Sequence, residues 1–128
     1  MTIGFICILI ASFLPVVWIA YAKITIPGGF KPKYNRNSRE ILEATKGKTK
    51  RAKWAHDNSW EAFAPFAAAV IIAHYLKVDQ SMIDYSAIVF IIARLIYGLC
   101  YIYDKSLMRS IVWFVGLLAV VNLYYQAW

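Results

Sequence analysis

The chain has 128 residues, one domain's length, of which 61% are apolar and only 16% charged, against roughly a quarter charged in an ordinary soluble domain. Mean hydropathy is +0.54, which excludes a disordered chain and weighs against a water-soluble monomer. The net charge of +7 is local, because ten of the fourteen Lys and Arg residues fall between Lys23 and Lys53. The composition is that of a membrane protein with one basic segment. Cys7 and Cys100 lie in apolar stretches and offer neither a disulfide framework nor a metal-ligand spacing.

A membrane helix needs about 20 mostly apolar residues. Four spans are expected, at 2–22, 58–77, 85–103 and 110–128, within a single membrane domain covering 1–128. The fold class is an all-α integral membrane protein built as a four-helix bundle. The first span is uncharged and holds Pro15, which a membrane helix tolerates as a kink. A small-x-small pattern at Ala20–Ala22 resembles a leader cleavage site. No basic residue precedes Lys23 and the apolar run is too long, so cleavage is not expected.

The loop at 23–53 is basic and expected to be cytoplasmic. Pro27-Gly28-Gly29 breaks the chain, Ser38–Glu43 forms a short helix, Gly47 interrupts, and a helix resumes near Thr49 and runs into the second span. The uncharged part of that span is only 62–76, so the helix must start near Asn58 and carry Glu61 into the membrane. The third span is bounded by Asp84 and Asp104 and the fourth has no charge. The third loop holds Lys105 and Arg109, on the same side as the basic loop. Both termini therefore face away from the cytoplasm. The charges fit this orientation and anionic lipid, and no nucleic-acid motif accompanies them.

Charges inside spans are costly and are functional or partnered. Arg94 is the midpoint of the third span, and Glu61 lies about one turn inside the second. Arg51, Asn58, Glu61 and Pro65 share one helix face, and Arg94, Tyr97, Gly98 and Tyr101 share another. Arg109 and Ser110 open the last span. Together they outline a charged pocket open to the basic side. Its guanidiniums suit carboxylates and its carboxylate suits an ammonium. Arg109 near a helix N-terminus adds positive potential that favours a thiolate.

The segments Arg51–Phe66 and Ala93–Tyr101 resemble the second- and third-helix signatures of the MAPEG family, the membrane-associated proteins of eicosanoid and glutathione metabolism. The resemblance extends to the four spans, the basic first loop and the length. It implies a homotrimer in membrane lipid with reduced glutathione bound between neighbours. It also implies transferase or peroxidase chemistry on a lipophilic small molecule. By position, Asn58 and Glu61 match glutathione contacts, with Arg51 matching a recurrent arginine seven residues before the Asn. Tyr97 and Tyr101 match third-helix positions, and Arg109 matches the arginine that holds the thiolate, followed by Ser110. Arg94 is assigned to the same ligand site. Trp54 and Asp57 stand where many or some members carry further arginines.

Each residue also has a structural reading. Glu61 and Arg94 can be a buried pair, Asn58 interhelical glue, Tyr97 and Tyr101 packing residues, and Arg109 a helix-end anchor. His56 and His74 read as structural, and Trp113, Tyr124, Tyr125 and Trp128 as interface aromatics. Gly98 and Gly116 read as points of close helix approach. Two functional classes follow: a glutathione-dependent enzyme, with Arg109 as its catalytic residue and no metal, or a non-enzymatic trimeric scaffold or activator binding a protein or lipid. The short loops favour a bacterial inner membrane.

Overall fold

The computed structural model describes residues 1–128. It is all-helical, with α1 (Ile3–Ile24), α2 (Pro32–Arg36), α3 (Ser38–Ala44), α4 (Gly47–Tyr75), α5 (Gln80–Ile102) and α6 (Ser106–Ala127). Three helices, α1, α5 and α6, are long and apolar enough to cross a membrane. The protein is thus an integral membrane protein. α4 does not meet that criterion, although a span was expected at 58–77. Its apolar stretch is too short: the uncharged part covers only 62–76, is preceded by Asn58, Ser59 and Glu61, and contains Pro65 and His74, while the helix itself begins at Gly47 and takes in Lys48, Lys50, Arg51 and Lys53. α5 likewise starts before Asp84 and α6 before Arg109, so both charges expected at span borders lie inside helices.

The basic loop contains two short helices. α3 agrees with the expected Ser38–Glu43 helix. α2 was not anticipated, and Pro32 at its first position presets the helical φ. At the turn before it, a Cβ on Gly29 would lie 2.2 Å from the Lys23 carbonyl oxygen, so only glycine lets the chain fold back onto the end of α1.

The α4–α5 and α5–α6 turns end their helices without glycine. Lys77 and Asp104 adopt left-handed backbone, with φ of 57° and 58°. This lets the Val78 and Lys105 amides reach back to the Ala73 and Cys100 carbonyls at 3.0 and 2.9 Å. The turns are short, which sets α4, α5 and α6 running alternately in opposite directions. α1 packs along α4 and α5, and α6 along α5 and α4.

Two apolar clusters fill the space between helices. The larger contains Phe66 and Phe90, whose rings stack at 3.9 Å and 8° between α4 and α5. The smaller sits at the basic end around Trp18, Ala55, Leu42 and Ile102 and holds α3 against α1 and α4. Polar ties close the opposite end. The Gly4 amide donates to Asp84 at 2.9 Å, and His74 pairs with Thr2 at 2.9 Å while stacking on Phe5. His56 donates its Nδ1 hydrogen to the Pro15 carbonyl at 2.7 Å, tying α4 to α1 at its proline. Asn122 donates to Ser86 at 2.9 Å between α6 and α5.

At Gly98 the Trp18 side chain of α1 packs directly over the α5 backbone. A Cβ there would lie 2.1 Å from the Trp18 ring, which is only 5% exposed and has no room to retreat. Gly116 is different: an added Cβ meets Ala93 at 3.7 Å, an ordinary contact, so close approach does not explain that glycine.

Gly98→Ala is therefore expected to destabilise the protein by about 1–3 kcal/mol through overpacking. Thermal unfolding in detergent checks this, with Gly116→Ala as the comparison, expected to gain up to about 1 kcal/mol because its added Cβ meets only ordinary contacts.

Candidate functional site

Arg94 stands on the α5 face turned toward α4 and is 4% exposed. A guanidinium at this depth must be satisfied by protein. It donates Nη2 to the Asn58 side-chain oxygen at 2.7 Å and to the Asn58 backbone carbonyl at 3.2 Å. The Asn58 amide nitrogen in turn donates to Glu61 at 2.8 Å. Glu61 and Arg94, expected to be possible direct partners, are joined through Asn58, and Glu61 belongs to none of the chain's four ion pairs.

The polar series continues down α5 by aromatic contacts. The Arg94 guanidinium lies 4.3 Å from the Tyr97 ring centroid. Tyr97 packs edge-on against Tyr101, with centroids 5.1 Å apart, and directs its hydroxyl toward that of Tyr101 at 3.5 Å. The Arg109 guanidinium sits 4.5 Å over the Tyr101 ring. These contacts space four cationic or phenolic centres, Arg94, Tyr97, Tyr101 and Arg109, along one seam. Arg109 lies in the first turn of α6, where its charge adds to the positive helix end.

The residues do not all share one pocket, as their helix faces suggested. Asn58, Glu61 and Arg94 border a cavity of about 220 Å³ between α4, α5 and α6. Tyr97, Tyr101, Arg109 and Ser110 border a second, of about 270 Å³. Trp113 belongs to both walls, so it stands between them. Trp113 was read as an interface aromatic, and its place one helical turn after Arg109 is the signal that could have found it.

Arg51 joins neither cavity. It donates Nε to the Tyr101 carbonyl at 2.8 Å and Nη2 to the Ile102 carbonyl at 3.3 Å, with Asp104 at 3.9 Å. It caps the C-terminal end of α5, where free carbonyls attract a cation. Shared helical phase with Asn58 put it on the right face, but two further turns carried it past the pocket. Trp54 lies toward Tyr101, with centroids 6.4 Å apart.

A wider groove, of about 630 Å³, lies on the other side of α4, between α1 and α3. Lys53 is held there by Glu43 at 2.5 Å and Asp57 at 2.6 Å, and Lys50 also binds Glu43 at 2.6 Å. Hydrogen bonds first from Lys50 and then from Lys53 pull the Glu43 pKa down to about 2. The same pairings, Asp57 ahead of Glu43, raise that of Lys53. The bracket fastens α3 to α4, so Asp57 and Lys53 are already engaged on the face away from Arg94.

A sequence model of the MAPEG family matches residues 2–128. No curated protein and no solved structure gives a significant match.

Asn58→Ala should remove the only side chain bridging Arg94 and Glu61 and lower stability by about 2 kcal/mol, read by thermal unfolding in detergent. Because the Glu43 pKa is lowered on folding, its contribution is present above about pH 4.5 and fades as pH falls toward about 2. Glu43→Gln should therefore loosen α3 at neutral pH and match wild type near pH 2. Hydrogen exchange of residues 38–44, corrected for intrinsic rates, tests this; equal protection at neutral pH would count against it.

Proposed function

The chain belongs to the MAPEG family, and on that premise we propose that it is a glutathione-dependent membrane transferase or peroxidase acting on lipophilic electrophiles or hydroperoxides. The observation that carries this is the unbroken polar seam from Glu61 through Asn58, Arg94, Tyr97 and Tyr101 to Arg109. Its donor set fits a small peptide thiol. Arg94 and Asn58 offer hydrogen bonds to carboxylates, and Glu61 offers an anion to an ammonium. Glutathione supplies a sulfur nucleophile. Arg109 is the catalytic residue, stabilising the thiolate at the positive end of α6, with Ser110 and the two tyrosine hydroxyls as further donors. Arg51 acts through the α5 backbone rather than on the ligand.

The assembly proposed is a homotrimer of four-span protomers in membrane lipid. Supporting it, Glu61 is exposed on the protomer at a depth where lipid cannot solvate a carboxylate, so a neighbouring copy or ligand must cover it. The basic end, with Lys23 and the 31–53 segment, faces the cytoplasm and both termini lie opposite, in a bacterial inner membrane.

One observation favours a non-enzymatic scaffold or activator. Both ends of the Asn58 amide are already used, by Arg94 and Glu61, so the cluster can serve assembly alone.

Calorimetric titration of reduced glutathione into the detergent-purified protein separates the two. The enzyme reading expects saturable binding at millimolar glutathione. It further expects Arg109→Ala to remain oligomeric while losing about 10²-fold in turnover. No binding, with activity-independent assembly lost in Asn58→Ala, would support the scaffold.

A further inference from the structure

The wide groove on the far side of α4 shares no wall residue with the two cavities around Arg94 and Arg109. Its apolar part is made by Val16, Ile19 and Ala20 of α1 and Trp60 of α4. Val16 and Trp60 are exposed, so this part opens sideways to lipid. The charges of the groove fall into two sets. Lys50 and Lys53 against Glu43 and Asp57 make a neutral bracket of two cations and two anions. Lys23 and Arg39 also line the groove, and neither has a carboxylate partner. Lys23 reaches only the Asn35 side-chain oxygen at 3.4 Å and the face of the Phe30 ring, 5.9 Å from its centroid.

The fold sets these two cations at one level. Lys23 lies in the last turn of α1, and the turn at Gly29 brings Phe30 back beside it. Arg39 lies in the first turn of α3, which the lysine bracket fastens to α4. Val16 is seven residues further into α1 than Lys23, about 10 Å deeper. Two unmatched positive charges therefore stand at the polar end of a groove whose apolar part runs into the membrane.

We propose that this groove binds one anionic phospholipid from the leaflet at the basic end, with its phosphate on Lys23 and Arg39 and the upper part of one acyl chain along Val16, Ile19 and Trp60. A basic loop attracts an anionic surface diffusely. Here two of the ten basic residues between Lys23 and Lys53 are assigned to one headgroup. A zwitterionic lipid fits less well, because its ammonium needs a carboxylate and both carboxylates of the groove are already held by lysines. Nothing in the site depends on glutathione or on the residues around Arg94.

The test is native mass spectrometry of the full chain in a neutral detergent, titrated with dioleoyl phosphatidylglycerol or dioleoyl phosphatidylcholine. Wild type should retain one phosphatidylglycerol per protomer, at least about tenfold more tightly than phosphatidylcholine. Lys23→Gln with Arg39→Gln should weaken retention by about 30-fold, the worth of two cations near an anionic headgroup. Lys33→Gln with Lys46→Gln removes the same charge from the same segment outside the groove, and should bind within twofold of wild type. Val16→Trp keeps every charge and fills the apolar part. It should weaken binding about tenfold, the worth of about two buried methylenes. Any one of three results overturns the site. The two double variants weaken binding equally, which is diffuse attraction; phosphatidylcholine is retained as well as phosphatidylglycerol; or Val16→Trp leaves lipid binding unchanged but lowers the oligomer mass, which means a second copy covers the groove.

Discussion

A buried guanidinium governs the arrangement. Arg94 lies well inside α5 and has almost no exposure. Hydrocarbon cannot solvate it, so another helix must bring acceptors. Asn58 does this twice, with side chain and backbone. That double contact fixes the register and rotation of α4 against α5. Once α5 is so turned, Tyr97, Gly98 and Tyr101 follow on the same face by helical geometry. Gly98 then admits the Trp18 indole from α1, and Tyr101 presents its ring to Arg109 of α6 and its carbonyl to Arg51 of α4. Each neighbouring helix thus reads its position from one stripe of α5.

Much of this was legible because intramembrane charges are few and helical periodicity is strict. The stripes through Asn58 and Glu61 and through Arg94 and Tyr101 survive in three dimensions as contacts. What was lost follows from distances along helices that phase cannot give. Arg51 shares a face with Asn58, yet seven residues is about 10 Å of rise, enough to take it to the end of α5. The span borders shifted for a similar reason: α4 and α6 run past the charges that composition treats as boundaries. α2 was hidden because five residues carry no periodic signal; the loops after α4 and α5 were expected, but not their left-handed residues, because Lys77 and Asp104 stand where glycine would have marked them.

The two faces of α4 divide labour by how their charges are neutralised. On the α3 side, Lys50 and Lys53 are matched against Glu43 and Asp57 near water, and the pairing fastens a peripheral helix. On the α5 and α6 side, Arg94 meets a neutral amide and Glu61 has no cation. The first face is locally complete. The second retains an anion at its mouth and a cation at its roof, and that residual polarity is what a ligand carrying both signs of charge can use.

The identity of residue 58 explains how these opposite charges coexist without closing on each other. A direct Glu61–Arg94 pair would neutralise both and fill the mouth of the cavity. A carboxylate at 58 could accept from Arg94 but could not donate to Glu61, and would set two anions side by side. An alkyl group would leave both unpaired. The amide accepts with its oxygen and donates with its nitrogen, so it holds the two charges apart at hydrogen-bonding distance from itself. The cavity stays open beneath it because the polar contact is spread across three residues on two helices rather than collapsed into one bond.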